Sequence, residues 1–229
     1  MRLTRRTLGK FKSRKLNMEQ DEEWITGPPS RLHWGHSGEE EAKGDIHQDG
    51  QDIWLYDECI THDTAMKFQV ALQEAVLEAK MIAMTYKVIP PIRLHIHSNG
   101  GDLFSGFGIA DAVANCKIPV HTYIEGLAAS AASLIAVCGA KRFITPSSHV
   151  LIHQLSAGFA GTHEDFQEEL KNQEILMDRL RAIYLERSSM SEDEIEALLK
   201  TDQMLSAQDC LKRGIVDLVG TDLNDSVGL

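Results

Sequence analysis

From residue 51 onward, short apolar runs alternate with longer stretches whose apolar side chains recur every three or four positions. That alternation limits the fold more than any other feature of the chain. Strands are expected at 52–56, 92–97, 120–124, 142–144, 150–153 and 215–219. Helices are expected at 61–80, where Ala65, Phe68, Leu72, Ala75, Val76 and Ala79 share one face, at about 103–115, and from near Ser130. Further helices fall at 163–187 and near 191–200 and 206–212, the long one carrying Phe166, Leu170, Met177, Leu180 and Tyr184 along one side. Strands interleaved with helices imply an α/β domain whose mainly parallel strands are covered by helices. No internal repeat is evident.

Residues 1–50 break the pattern and read as an arm, flexible or docked on a partner, so the domain is expected to begin at 51. Residues 1–17 hold seven basic side chains and no acid, while 18–50 hold nine acids and two bases. The arm is therefore neutral, and the whole net charge of −11 lies in 51–229. A domain that acidic is not expected to take nucleic acid as its partner. Trp24 and Trp34 are the isolated aromatics of the arm, placed to dock on a partner or on their own domain.

No apolar run reaches the roughly 18–20 residues of a membrane span, so no membrane association is expected. The longest apolar stretch, 126–140, is rich in Ala and Ser and reads as a buried helix. Cys59, Cys116, Cys138 and Cys210 are widely spaced without a CxxC pair, which suits reduced thiols in a cytoplasmic compartment. The Arg-rich start also has the composition of a transit peptide, which sets an organelle matrix beside the cytoplasm as a location.

Three strand-to-helix junctions carry reactive groups. Gly100 and Gly101 follow an apolar strand, where glycine lets backbone N–H groups approach a ligand; a tight turn explains the pair equally well. In Gly126-Leu127-Ala128-Ala129-Ser130-Ala131-Ala132-Ser133, a serine in the first turn of a helix is flanked by residues no larger than alanine. Such a serine is reachable and sits at the positive end of the helix dipole. The bland alternative is a small-residue helix built for close packing. Ser133, one turn further in, faces the helix interior and is the poorer nucleophile. The third junction is His153 at the end of an apolar strand, either a satisfied core histidine or a general base. Ser130 and His153 together suggest an activated serine with a third group orienting the imidazole. Composition and spacing do not choose between Asp202, Asp209 and Asp217 for that group.

The segments 94–101, 126–132 and 149–154, with 202–207 followed by 214–217, resemble in order and interval the motifs of the Clp protease proteolytic-subunit (ClpP) family. The resemblance covers roughly 51–220. It implies a ClpP/crotonase-like spiral of β-β-α units with a protruding handle, a strand plus a long helix. Matched residue by residue, it implies Ser130 as nucleophile, His153 as base and Asp202 as the group holding His153. Gly101 and Ala131 would supply the oxyanion-hole amides, and Gly100, Leu155, Ser156, Ala157, Gly158 and Phe159 would bind the peptide. The implied activity is that of a serine endopeptidase, without metal or cofactor, acting on peptides or unfolded proteins inside a homo-oligomeric ring or double ring.

Several positions depart from the family pattern. Gln203 stands where an arginine usually follows the aspartate, Leu155 stands where proline is common, and the arm is unlike the short N-terminal hairpin of the family. The triad types are untouched by these changes, which fall on ring stacking and on docking of an AAA+ unfoldase. They fit a divergent member, such as one encoded by a phage, acting in the host cytoplasm on capsid or scaffold proteins. Two alternatives share the fold: a non-catalytic assembly subunit and a crotonase-type acyl-CoA enzyme. His95 and His97 share a strand face as metal ligands might, but no Cys or carboxylate joins them at ligand spacing.

Overall fold

The computed structural model of the chain describes residues 45–220. Among these residues one sheet of eight strands is formed: β1 (Asp45–Asp49), β2 (Asp52–Asp57), β3 (Ile92–Ser98), β4 (Val120–Ala129), β5 (Lys141–Ile144), β6 (His149–Leu151), β7 (Met204–Ser206) and β8 (Leu218–Val219). The helices are α1 (His62–Tyr86), α2 (Leu103–Asn115), α3 (Ala131–Val137), α4 (His163–Arg187), α5 (Glu192–Leu199) and α6 (Ala207–Lys212). The strand order is β1-β2-β3-β4-β5-β8, and β6 and β7 extend the sheet from the far half of β4. Every pairing is parallel except β1 with β2 and β6 with β7. Parallel neighbours need a crossover; α1 supplies it between β2 and β3, and α2 between β3 and β4.

The two sheet faces differ in chemistry. Ile53, Leu55, Leu94, Ile96 and Ile124 are fully or almost fully buried and pack with Phe68, Leu72, Ala75 and Ala79 of α1 in one core. On the other face, His47, Trp54, His95, Tyr123 and Phe143 are register partners in turn across five strands. Their rings form a row, with centroids 5.2 Å apart at Trp54–His95 and 4.6 Å apart at Tyr123–Phe143. His95 also lies 3.1 Å from an Asp52 oxygen and 3.0 Å from a Glu125 oxygen, so its two nitrogens are spent on protein carboxylates.

The elements differ from the sequence reading mainly at their ends. Asp45–Asp49, read as part of the arm, pairs antiparallel with β2 along its whole length. Trp24, Trp34 and the basic block lie outside the described residues. Helix α1 starts from a capping box of Thr61 and Thr64 and runs on to Tyr86, ending where Lys87 turns left-handed (φ 61°) ahead of Pro90 and Pro91. Strand β8 is shorter than expected. The N–H groups of Ile215 and Val216 turn back to Cys210 O at the end of α6 and so do not join the sheet. No helix among the described residues is long and apolar enough to cross a membrane.

Candidate active site

The strand β4 is irregular just before it delivers Ser130. Between the pairs Ile96–Ile124 and Ser98–Ala128, β3 advances two residues while β4 advances four. The surplus is pinned at three points. His97 Nδ1 lies 2.9 Å from Glu125 O and 3.2 Å from Leu127 N, and Gly126 N donates to Ser148 Oγ at 2.5 Å. Beyond this bulge β4 leaves β5 and pairs with β6, and Ser130 N donates to Leu151 O at 2.9 Å. Ser130 therefore sits where two parallel strands end side by side.

At Ser130 the chain turns sharply from strand to helix. Its backbone takes φ 54° and ψ −124°, a conformation that residues with a β-carbon rarely adopt, and α3 begins with the next residue. Gly100 is wedged against this turn. A β-carbon there would fall 2.6 Å from Ser130 Cβ and 2.6 Å from Ala129 O, at a φ of 93°. Gly101 (φ 149°) bridges to Ile60 through Ile60 N–Gly100 O (2.7 Å) and Asp102 N–Ile60 O (2.8 Å). Those two bonds use the groups on either side of Gly101, so its own N–H faces the opposite way. The N–H of Ala131, first residue of α3, has no acceptor within its helix.

Ser130, Ala131, Gly101, His153, Leu155 and Ser156 line one cleft of about 220 Å³, whose apolar wall is Leu103, Leu134, Leu180 and Tyr184. A wider groove of about 420 Å³, between β1 and α1, shares no residue with it. The cleft thus gathers a half-buried serine, a half-buried histidine and two backbone amides. His153 lies two residues past the last pair of β6, and its Nδ1 is 2.6 Å from Gln154 O. A carbonyl only accepts, so Nδ1 is the donor in this contact and Nε2 is the ring nitrogen left without a partner. Among the described residues no hydrogen bond joins Ser130 to His153, or His153 to Asp202.

The three aspartates left open by spacing differ here. Asp209 accepts from Ser206 Oγ (2.6 Å), while its own N–H donates to that same hydroxyl, the N-cap of α6 (3.2 Å); the Ser206 hydrogen bond holds its carboxyl below the usual range. Asp217 is paired with Arg142 at 2.5 Å. Burial pushes its carboxyl up, but the Arg142 hydrogen bonds and charge outweigh that and hold it low. Asp202 is exposed and makes no hydrogen bond among the described residues. It lies outside the lining of the cleft, and β6 and β7 pair in the order His149–Ser206, Val150–Leu205 and Leu151–Met204. That pairing ends at Leu151–Met204, two residues short of both His153 and Asp202, and Gln154 N donates instead to Leu199 O at 3.0 Å.

Of the expected peptide-binding residues, Leu155 and Ser156 reach the cleft. Ala157, Gly158 and Phe159 are exposed beyond it, with Phe159 packed edge-on against Phe166 of α4 at 5.2 Å. Among the described residues, 152–162 pair with no neighbouring strand, and their backbone is left open along most of its length. Sequence reasoning missed one link. Ser133 and Tyr184, 51 residues apart, share a hydrogen bond of 2.6 Å beneath the cleft. Two buried hydroxyls, each in need of a partner, were the available signal.

Residues 52–222 match the family model described as Clp protease. The chain is 34% identical over 139 residues to the ATP-dependent Clp protease proteolytic subunit 1 of Chlamydia muridarum, covering 59% of this chain and 72% of that protein. It is 28% identical over 183 residues to the ATP-dependent Clp protease proteolytic subunit of Deinococcus radiodurans, covering 79% of this chain and 89% of that protein. The matched segment spans the whole sheet from β2 to β8 and the cleft at Ser130, and the chain belongs to the Clp protease family.

Proposed function

We propose that the serine endopeptidase activity of this Clp protease family member is carried by Ser130, His153 and Asp202. The observation that supports it most is the convergence of Ser130, His153, Gly101 and Ala131 on one cleft. His153 Nε2 removes the Ser130 proton as Oγ attacks the substrate carbonyl, and the Gly101 and Ala131 amides receive the resulting oxyanion. The imidazolium then protonates the leaving amine, and water activated through His153 releases the acyl group. Asp202 holds the imidazolium once Nδ1–H turns from Gln154 O to its carboxylate.

The open edge at 152–162 receives the substrate as an added strand, from Leu155 and Ser156 beside the nucleophile out through Ala157, Gly158 and Phe159. The substrates are peptides or unfolded proteins, degraded inside a ring-shaped oligomer of this chain in the cytoplasm. Both relatives are named ATP-dependent, and an ATP-driven unfoldase is the partner that would feed such a chamber.

The test is hydrolysis of a fluorogenic peptide by the wild type and by Ser130→Ala, each sized by light scattering. Turnover lost in Ser130→Ala, with the particle size unchanged, is the expected result. Equal turnover in the two proteins would remove Ser130 from the mechanism.

A further inference from the structure

The peptide unit between Ser130 and Ala131 is held from behind. Ser130 O accepts three donors: Ser133 Oγ at 2.7 Å, Ser133 N at 3.0 Å and Leu134 N at 3.4 Å. Because the peptide is planar and trans, its C=O and N–H point in opposite directions. Donors gathered on Ser130 O therefore aim the Ala131 N–H the other way, into the cleft that both residues line. Ser130 itself has an unfavourable backbone conformation, so this plane needs outside support.

That support extends to a second element. The Ser133 hydroxyl has one proton, and the carbonyl of Ser130 takes it. Tyr184 OH, 2.6 Å from Ser133 Oγ, must then donate to it. Ser133 is wholly buried and Tyr184 is 1% exposed, so water does not substitute for either partner. The chain runs Tyr184 O–H to Ser133 Oγ–H to Ser130 C=O, from α4 through α3 to the turn at the nucleophile. Helix α4 is the helix that follows the open segment 152–162.

We infer that Ser133 and Tyr184 are positioning residues for the peptidase reaction: their hydroxyl pair fixes the Ser130–Ala131 peptide plane, and so makes the oxyanion donor depend on the seating of α4. This rests on the assignment of Ser130 as nucleophile. A donor that tilts away from a forming oxyanion is lost mainly in the transition state, so the effect falls on kcat and not on KM.

The experiment measures kcat and KM for a fluorogenic peptide in wild type, Tyr184→Phe, Ser133→Ala, the double variant and Ser130→Ala, with the melting temperature of each. Tyr184→Phe keeps the ring and removes only the hydroxyl. Each single variant is expected to lose about tenfold or more in kcat, a fraction of the 10²–10³ that follows outright loss of an oxyanion donor. KM should stay within about twofold, and the double variant should be no slower than Ser133→Ala, since the two hydroxyls act in series. Ile183→Val trims the packing of the same helix without touching the hydroxyl pair; it should lower the melting temperature and leave kcat within about twofold. Turnover that disappears in Ser130→Ala but keeps its wild-type kcat in Tyr184→Phe and Ser133→Ala would overturn the inference alone. Turnover that survives in Ser130→Ala would overturn the assignment of the nucleophile and the inference with it.

Discussion

Ser130 shares its positive φ with only one other non-glycine among the described residues, Lys87, which closes a helix. A strained backbone at a serine has no such routine explanation, and here it turns the side chain into a cleft beside a histidine. The glycine next to it makes the arrangement testable. Gly100→Ala would place a β-carbon 2.6 Å from Ser130 Cβ at a φ of 93°; a loss of about 3 kcal/mol in denaturant unfolding is expected, together with loss of peptide turnover. The aspartates give a second test. Asp202→Asn should reduce kcat by roughly 10³–10⁴-fold, whereas Asp209→Asn and Asp217→Asn, which remove partners of Ser206 and Arg142, should cost less than about tenfold. Equal losses at all three, read from peptide hydrolysis, would contradict the assignment. The turn at Ser130 and the strand end ahead of His153 were legible in the sequence, because small residues announce the one and an apolar run the other. Asp202 is proposed through resemblance alone: spacing leaves Asp202, Asp209 and Asp217 open, and the structure finds Asp209 bonded to Ser206 and Asp217 to Arg142.

At the scale of elements, the parallel strands and their crossover helices were readable because each has its own hydrophobic period. Strand β1 was not, since Asp45–Asp49 has one apolar residue, Ile46, and its place is fixed by the partner strand β2. The same holds for β7, three residues long, whose place is fixed by its pairing with β6. Helix starts were more legible than helix ends. Thr61, Thr162 and Ser191 each close a capping box at the start of α1, α4 and α5, and the side-chain chemistry that does this is local. Thr61→Ala should cost about 1 kcal/mol in chemical denaturation, with kcat unchanged. A loss beyond about 3 kcal/mol would mean that the cap does more than satisfy its helix.

Across the whole molecule, the carboxylates held low by cations set the response to acid. Asp52 faces Arg93 and His95, and Asp217 faces Arg142. Burial pushes both carboxyls up, and the hydrogen bonds and charges of their partners hold them low nonetheless. A folded-state value below the unfolded one contributes stability above the unfolded aspartate range, near 3.9, and the contribution is lost as pH falls through the folded value. The melting temperature should therefore fall as the pH drops below about 5, and Asp217→Asn should show a lower plateau at neutral pH and a shallower acid limb. An acid limb of unchanged slope would remove Asp217 from the titration. Arg142 also donates to Gly214 O at 2.9 Å and to Arg187 O, so this one side chain ties β5 to the ends of α4 and α6.

The most direct measurement is reaction of the purified full-length protein with a fluorophosphonate, with the modified residue located by mass spectrometry. An adduct on Ser130 that is absent from Ser130→Ala and strongly slowed in His153→Ala is expected. An adduct on any other residue, or one on Ser130 whose rate is the same without His153, would contradict the assignment of the site.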